Sequence, residues 1–340
     1  MHKSVSNLED ELGRVKEAIS HFQSGDRRNV AIISEPCYDE KFFIDAVEKL
    51  AATDCLRMKA ESLAHDNPLY GSFAYGIPEK SILIVEGVHR LYRRKIGGFA
   101  EMQSFLEAVS SSLKLFITSW NAYSWDYLSW VLPVAQAFPV QVELPRWSAS
   151  QIQEWLMAPF REDELEFVVE EKPKETERWP FRLARREVNL WPLGRRLNLP
   201  TPEIEVHQLK ELVPYLKKRA EPPPSKDLFF QRLTGISGGN PGVAETLWKR
   251  ALQYPKVRSD LLEESSFVGL DYHSSYTLCV ILSMGQMTRK ELAPVVGPVE
   301  ETLYLLKRQG LISLTDDICS IRPEAMKRVV DHLKRVRMVR

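Results

Sequence analysis

Four short apolar runs set between stretches of helical spacing constrain this chain more than any other feature. They are Asn29–Ile33, Ser81–Val85, Leu113–Thr118 and Val140–Leu144. The first three are near-continuous, the pattern of a strand buried on both faces, while Val140–Leu144 alternates; apolar strands of this kind need helices to cover them. Helical patterns fall where those covers are required, over residues 41–50 and 98–110. The expectation is an α/β fold, a parallel sheet flanked by helices, with any ligand at the carboxyl ends of the strands. An amphipathic helix over residues 5–24 precedes it, with Leu8, Leu12, Val15, Ile19 and Phe22 spaced three and four apart.

Charge narrows the function classes. Lysine plus arginine and aspartate plus glutamate both number 46, so the chain is no general polyanion binder and nucleic-acid contact requires a local patch. Hydrophobic residues at 44% and charged residues at 27% exclude a disordered or fibrous chain. The longest nearly uncharged stretch, Trp120 to Val142, contains Asp126, Pro133 and Pro139 and makes a poor membrane span. His2, Lys3, Glu9, Asp10 and Glu11 leave no apolar core for a signal peptide. Cys37, Cys55, Cys279 and Cys319 suit neither a zinc knuckle nor a disulfide scaffold. These features point to a soluble cytoplasmic protein.

After Pro145 the pattern changes. Residues 148–158 read as a helix with Ser148 as N-cap and Gln151 completing a capping box. Arg161–Glu177 carries a local charge of −5 and Arg178–Leu199 one of +5, opposite blocks that read as a self-neutralising surface insertion or, alternatively, an arginine patch for phosphates. Glu221–Ser225 is a stiff spacer, and a helix resumes at Asp227. From Asp271 the rhythm is helix, helix, helix, hairpin and closing helix, the order of a winged helix-turn-helix. The expected units are residues 1–25, an N-terminal helix; 26–147, the sheet domain; 148–265, a helical lid with a charged insertion at about 161–225; and 266–340, the winged helix.

The loop after the first strand occupies the place of a phosphate-binding loop. Such a loop needs glycines whose backbone N–H groups wrap the phosphates, a lysine, and a hydroxyl residue for magnesium. Here it runs Glu35-Pro-Cys-Tyr-Asp-Glu-Lys41-Phe42, so with Lys41 in register Glu35 and Glu40 replace the glycines and Phe42 the hydroxyl. The second strand ends on Glu86, where a carboxylate would hold a magnesium-bound water. The next residue is Gly87, and His89 nearby reads as a hydrogen-bonded surface residue. Ser119 and Asn121, ending the third strand, sit where a polar sensor of the γ-phosphate would sit.

With these segments in this order, the chain resembles the P-loop ATPases of the AAA+ and STAND type, including the origin-recognition-like subgroup. Ile82–Leu91, Leu115–Asn121 and Leu233–Ala244 carry the likeness, and Gly239, Asn240 and Pro241 look like the Gly-x-Pro lid motif of STAND ATPases. The resemblance implies ATP with magnesium as cofactor, held by Lys41, Glu86, Ser119, Asn121, Gly239, Asn240 and Pro241, with Glu86 as the metal residue. It also offers Arg90, Arg93 and Arg94 as an arginine finger to a neighbouring subunit, the other reading being a solvated basic face.

The departures point to a retired catalytic site. Phosphoryl transfer depends on positioning and charge neutralisation, and the loop keeps few parts for either. Two readings follow. The first is a catalytically degenerate regulatory or scaffold subunit, acting through protein contacts with an active ATPase or an effector, with Trp120, Trp125 and Trp130 as partner surface. The second is an ATP-binding switch or ATPase that engages DNA through its winged helix, with Lys327, Arg328, Lys334, Arg335 and Arg337 supplying phosphate contacts from a closing segment of net charge +5. Either could work as an oligomer.

Overall fold

The computed structural model describes residues 8–51, 55–60, 81–161, 164–168, 181–190, 195–204, 225–262 and 269–340, with backbone alone in 181–190 and 195–204. The helix α1 (Glu9–Gln23) leads into β1 (Val30–Ser34), α2 (Lys41–Ala51), β2 (Cys55–Lys59) and β3 (Ile82–Glu86). Then come α3 (Ala100–Ser111), β4 (Leu115–Asn121), α4 (Ala122–Val131), the one-turn α5 (Val134–Ala137) and β5 (Val140–Glu143). The five strands form one sheet in the order β2-β3-β4-β1-β5, every neighbouring pair parallel. All four expected strands are present. The fifth, β2, lies at the sheet edge, and its part-exposed pattern gives it no apolar run to read in the sequence.

The apolar runs explain the core. Every residue of β1 and β4 is buried, and β3 is buried up to Glu86, as expected for strands covered on both faces. One face packs under α1 and α2 through Val15, Ile19, Phe43, Ile44 and Val47. The other packs Phe105, Phe116, Trp120, Trp125 and Phe138 together with the later helices. Because the strands run parallel, Ser34, Glu86 and Ser119–Asn121 converge on one edge, Ser34 standing in register with Asn121.

Beyond the sheet, α6 (Ala149–Met157) opens on the expected capping box of Ser148 and Gln151. The strand β6 (Glu166–Val168) and the antiparallel hairpin β7 (Phe181–Leu190) and β8 (Arg195–Ile204) follow. The charged-insertion reading falls mostly on residues or side chains outside those described. Next are α7 (Ser225–Ser237), α8 (Pro241–Ala251), β9 (Leu252–Gln253) and β10 (Lys256–Arg258). Phe167, Phe229, Phe230 and Trp248 pack edge-on and stacked between them, with ring centroids 5.4–6.3 Å apart.

The last segment comprises α9 (Tyr272–Met284), β11 (Gln286–Thr288), α10 (Arg289–Val296), α11 (Glu300–Arg308), β12 (Ile312–Thr315), β13 (Ile318–Ile321) and α12 (Met326–Arg335). The expected three helices, hairpin and closing helix are all there, and β11 adds a third strand in the order β11-β13-β12. Thr288 opens the second helix as the sequence marks it, its side chain and that of Glu291 forming a capping box. Ten residues of α9 from Ser274 to Met284 are buried, so it is the pivot on which this segment docks against the sheet. Among the described residues, no helix is long and apolar enough to cross a membrane.

Candidate functional site

At the carboxyl edge of the sheet, the residue that replaces a loop glycine dominates. Glu40 ends the loop at the head of α2, and its main-chain carbonyl accepts the first helical bond from Ile44 N. Its side chain turns in to the strand ends. Ser34 Oγ donates to Glu40 Oε2 at 2.9 Å and Ser119 Oγ donates to Oε1 at 2.8 Å. Ser119 Oγ in turn accepts from Gly87 N at 2.9 Å. One carboxyl thus ties the ends of β1 and β4, and through Gly87 the end of β3, to the helix that follows the loop. Burial pushes this carboxyl above the usual carboxylate range; the two hydroxyls oppose the shift, while Glu86 and Asp39 add to it.

Glu86 is equally committed. Arg57 on β2 donates from Nε to Glu86 Oε1 at 2.6 Å, and its Nη1 reaches Asp45 at 2.6 Å and Glu48 at 2.9 Å on α2. The expected metal residue therefore faces a guanidinium of its own sheet. Among the described residues, no group of three or more His, Cys, Asp or Glu side chains could hold a metal ion.

The loop itself is closed from above. Asn240 caps α8, its Oδ1 accepting from Gly242 N and Val243 N, and its Nδ2 donates to Pro36 O at 2.9 Å. A Cβ placed on Gly242 would lie 1.8 Å from the Cys37 carbonyl, so helix and loop touch backbone to backbone. Gly239, at φ +80°, accepts from Trp147 N at 2.7 Å, and its own added Cβ would meet the Trp147 carbonyl. Arg146 holds the loop's other acid, Glu35, with its Nε donating at 2.9 Å.

The remaining sensor candidate also serves as a tether. Asn121 Nδ2 donates to Leu282 O at 2.9 Å, and its Oδ1 caps α4 by accepting from Tyr123 N. Its backbone N–H donates to His89 Nδ1 at 3.1 Å. Desolvation, with Arg90 beside it, lowers the His89 pKa to about 3, so this half-buried imidazole is neutral, and its Nδ1 accepts a hydrogen bond as expected. Arg94 is neither a finger nor a solvated cation: it donates to Cys279 Sγ and Ser283 Oγ on α9 at 3.0 and 3.1 Å.

The sequence therefore brings together Glu86, Ser119, Asn121 and the Gly239–Pro241 turn, but not Lys41. Lys41 begins α2 with an exposed side chain, its backbone N–H bonded to Asp39. A cleft of about 390 Å³ remains beside the site, lined by Glu35, Tyr38, Glu40, His89, Arg90 and Gln286 among others, and Lys41 is not among them. These residues do not fit a magnesium-bound triphosphate: the anion position carries a carboxyl, the metal acid is paired with an arginine, and the lysine does not line the cleft.

The other candidates separate in the fold. Trp120 and Trp125 are core residues, 1% and 5% exposed and packed edge-on at 5.1 Å, and of the three tryptophans only Trp130 lies at the surface. Lys327, Arg328, Lys334 and Arg335 ride on α12 with Arg337 just beyond it. Lys327 Nζ donates to Gly235 O at 2.7 Å and so ties the helix to α7, while Arg335 contacts His332 within α12 at 3.2 Å. Sequence reasoning missed Arg57 and Ser34. Neither carries a motif, and each acquires its role only when β2 and β1 take their places.

No family model matches the chain, and no curated protein matches it. Among solved structures, the Thermotoga maritima RuvB Holliday junction branch migration motor aligns over 96% of this chain and 94% of that one, at 14% identity and a TM-score of 0.42. A mutant of the same protein aligns over 96% and 95%, at 13% identity and a TM-score of 0.43.

Proposed function

We propose that this protein is a catalytically retired member of the AAA+-type P-loop ATPases, a regulatory or scaffold subunit that acts through protein contacts. The observation that carries the reading is the Glu40 carboxyl, hydrogen-bonded by Ser34 and Ser119 at the head of α2. A helix head among strand ends is where this architecture would receive a phosphate, and there the chain supplies a carboxyl group of its own. Asp39 adds a second acid beside Glu40 and Lys41 does not line the cleft, so a triphosphate entering would meet like charge with no loop lysine to offset it, at a cost of kcal/mol in a partly dry site.

Retaining the fold without the chemistry suits a subunit whose value lies in its shape. The sheet, the helical cover and the last segment are bonded into one body through Asn121, Arg94 and Ser124, the last donating to Ser283 O at 2.6 Å. Such a body can present surfaces to a partner, an active ATPase or an effector, without nucleotide-driven motion. The segment from α9 to α12 is read as a winged helix on the order of its elements.

Titration calorimetry of the purified protein with ATP and ADP, in magnesium, tests this. The expected result is no binding heat up to millimolar nucleotide. Micromolar binding that disappears in Lys41→Ala would overturn the reading and install the ATP-binding switch in its place.

A further inference from the structure

Outside the loop region, the most distinctive surface is a strip of rings and guanidiniums between α9 and α4. Tyr272 and Tyr276 lie one turn apart on α9 with rings stacked at 6.4 Å and 4° between planes. Tyr276 Oη donates to the Arg94 carbonyl at 3.3 Å, and the Arg94 guanidinium lies 4.1 Å over Tyr127. Trp130 stands one turn further along α4, and the Arg340 guanidinium lies 3.9 Å over its ring. The two ends of this strip are open to solvent: Tyr272 is 77% exposed and Trp130 is 70% exposed. A hollow of about 200 Å³ lies along it, and Arg94, Arg337 and Arg340 line that hollow against a single carboxylate, Asp126. In a chain of zero net charge this is a local excess of cations.

We propose that this strip binds single-stranded nucleic acid. Bases stack on aromatic rings and on guanidinium planes alike, and the stacking tolerates any sequence because every base has a π-face. Arg337, Arg340 and the nearby Lys334 would meet the phosphates. An apolar protein partner fits less well, because the rings are separated by guanidiniums instead of merging into one patch. An acidic protein segment would satisfy the cations but make no use of the exposed rings of Tyr272 and Trp130. The third helix of the last segment offers a weaker surface for any polyanion: α11 sets Glu301 beside Tyr304, Leu305, Lys307 and Arg308. The inference is independent of whether the loop binds nucleotide.

The test is fluorescence anisotropy of the full chain with a labelled oligo-dT of about 20 nucleotides, from about 50 to about 200 mM salt. The expected result is binding that weakens with salt at a log–log slope of about −2, the value for roughly three phosphate contacts on a single strand. Trp130→Ala, a change at an exposed side chain, should weaken binding about tenfold. Tyr272→Ala, on the other helix, should act in the same direction, so a folding defect in one variant leaves the other to decide. Replacing Arg337 and Arg340 by Ala should flatten the salt slope, and replacing Lys307 and Arg308 should leave binding unchanged. Any of three results would overturn the proposal: no binding at the lowest salt, wild-type affinity in both aromatic variants, or competition by poly-glutamate as effective as by unlabelled oligo-dT.

Discussion

Arg57 Nε donates to Glu86 Oε1 at 2.6 Å, binding the acid that ends β3 to a cation from the neighbouring edge strand. The same guanidinium reaches Asp45 and Glu48, so one positive charge serves three carboxylates across the sheet edge and α2. Glu86 and Arg57 are 14% and 21% exposed, which keeps this pair from being screened like a surface ion pair.

Arg57→Ala should therefore destabilise the protein by about 2 kcal/mol, between the cost of an exposed and a fully buried broken pair. Urea denaturation measures it. Adding Glu86→Gln should recover part of the loss, since the stranded charge is then removed. A double variant no more stable than the single one would show that the Glu86 bond is not the source.

Glu40 supplies a pH signature. Its folded-state pKa is raised, so the folded protein binds its proton more tightly than the unfolded chain does. That contribution to stability is fully present below the unfolded carboxyl pKa of about 4.3 and is lost as pH rises through the raised folded value. Glu40→Gln keeps a neutral group of the same shape and cannot lose a proton. The melting temperature of the variant minus that of wild type should grow as pH rises above about 4.3 and then level off; a difference constant with pH would refute the assignment.

Gly242 tests the closure over the loop. A Cβ there would fall 1.8 Å from the Cys37 carbonyl, a backbone atom that cannot rotate away. Gly242→Ala should cost about 1–3 kcal/mol, as overpacked sites do. Hydrogen exchange should quicken in residues 36–39 and at the start of α8, while the strands keep their protection.

Lys41 gives the contrasting case. Its side chain is exposed and does not line the cleft. Lys41→Ala should shift stability by no more than about 0.5 kcal/mol, the range of ordinary surface substitutions. Partner capture should also be unaffected. A loss of function with the fold intact would return the lysine to the site.

What the sequence by itself determined were the features encoded locally. Continuous apolar runs specify doubly covered strands, and the capping residues Ser148 and Thr288 mark helix starts because a side-chain oxygen there satisfies orphan N–H groups within three residues. The missing glycines of the loop were legible in the same way, as a one-dimensional pattern. Tertiary structure decided what that pattern could not carry. The edge strand β2 has no apolar run, since one side of it meets solvent, so Arg57 could not be matched with Glu86, 29 residues away, until the strands were in register. The spacing of Trp120, Trp125 and Trp130 suggested one surface, but a strand-to-helix junction at Asn121 sends the first two into the core and leaves the third in water. Glu40, read as a misplaced charge, became a part-buried hydrogen-bonded group only because β1 and β4, distant in sequence, lie side by side and deliver Ser34 and Ser119 to its two oxygens.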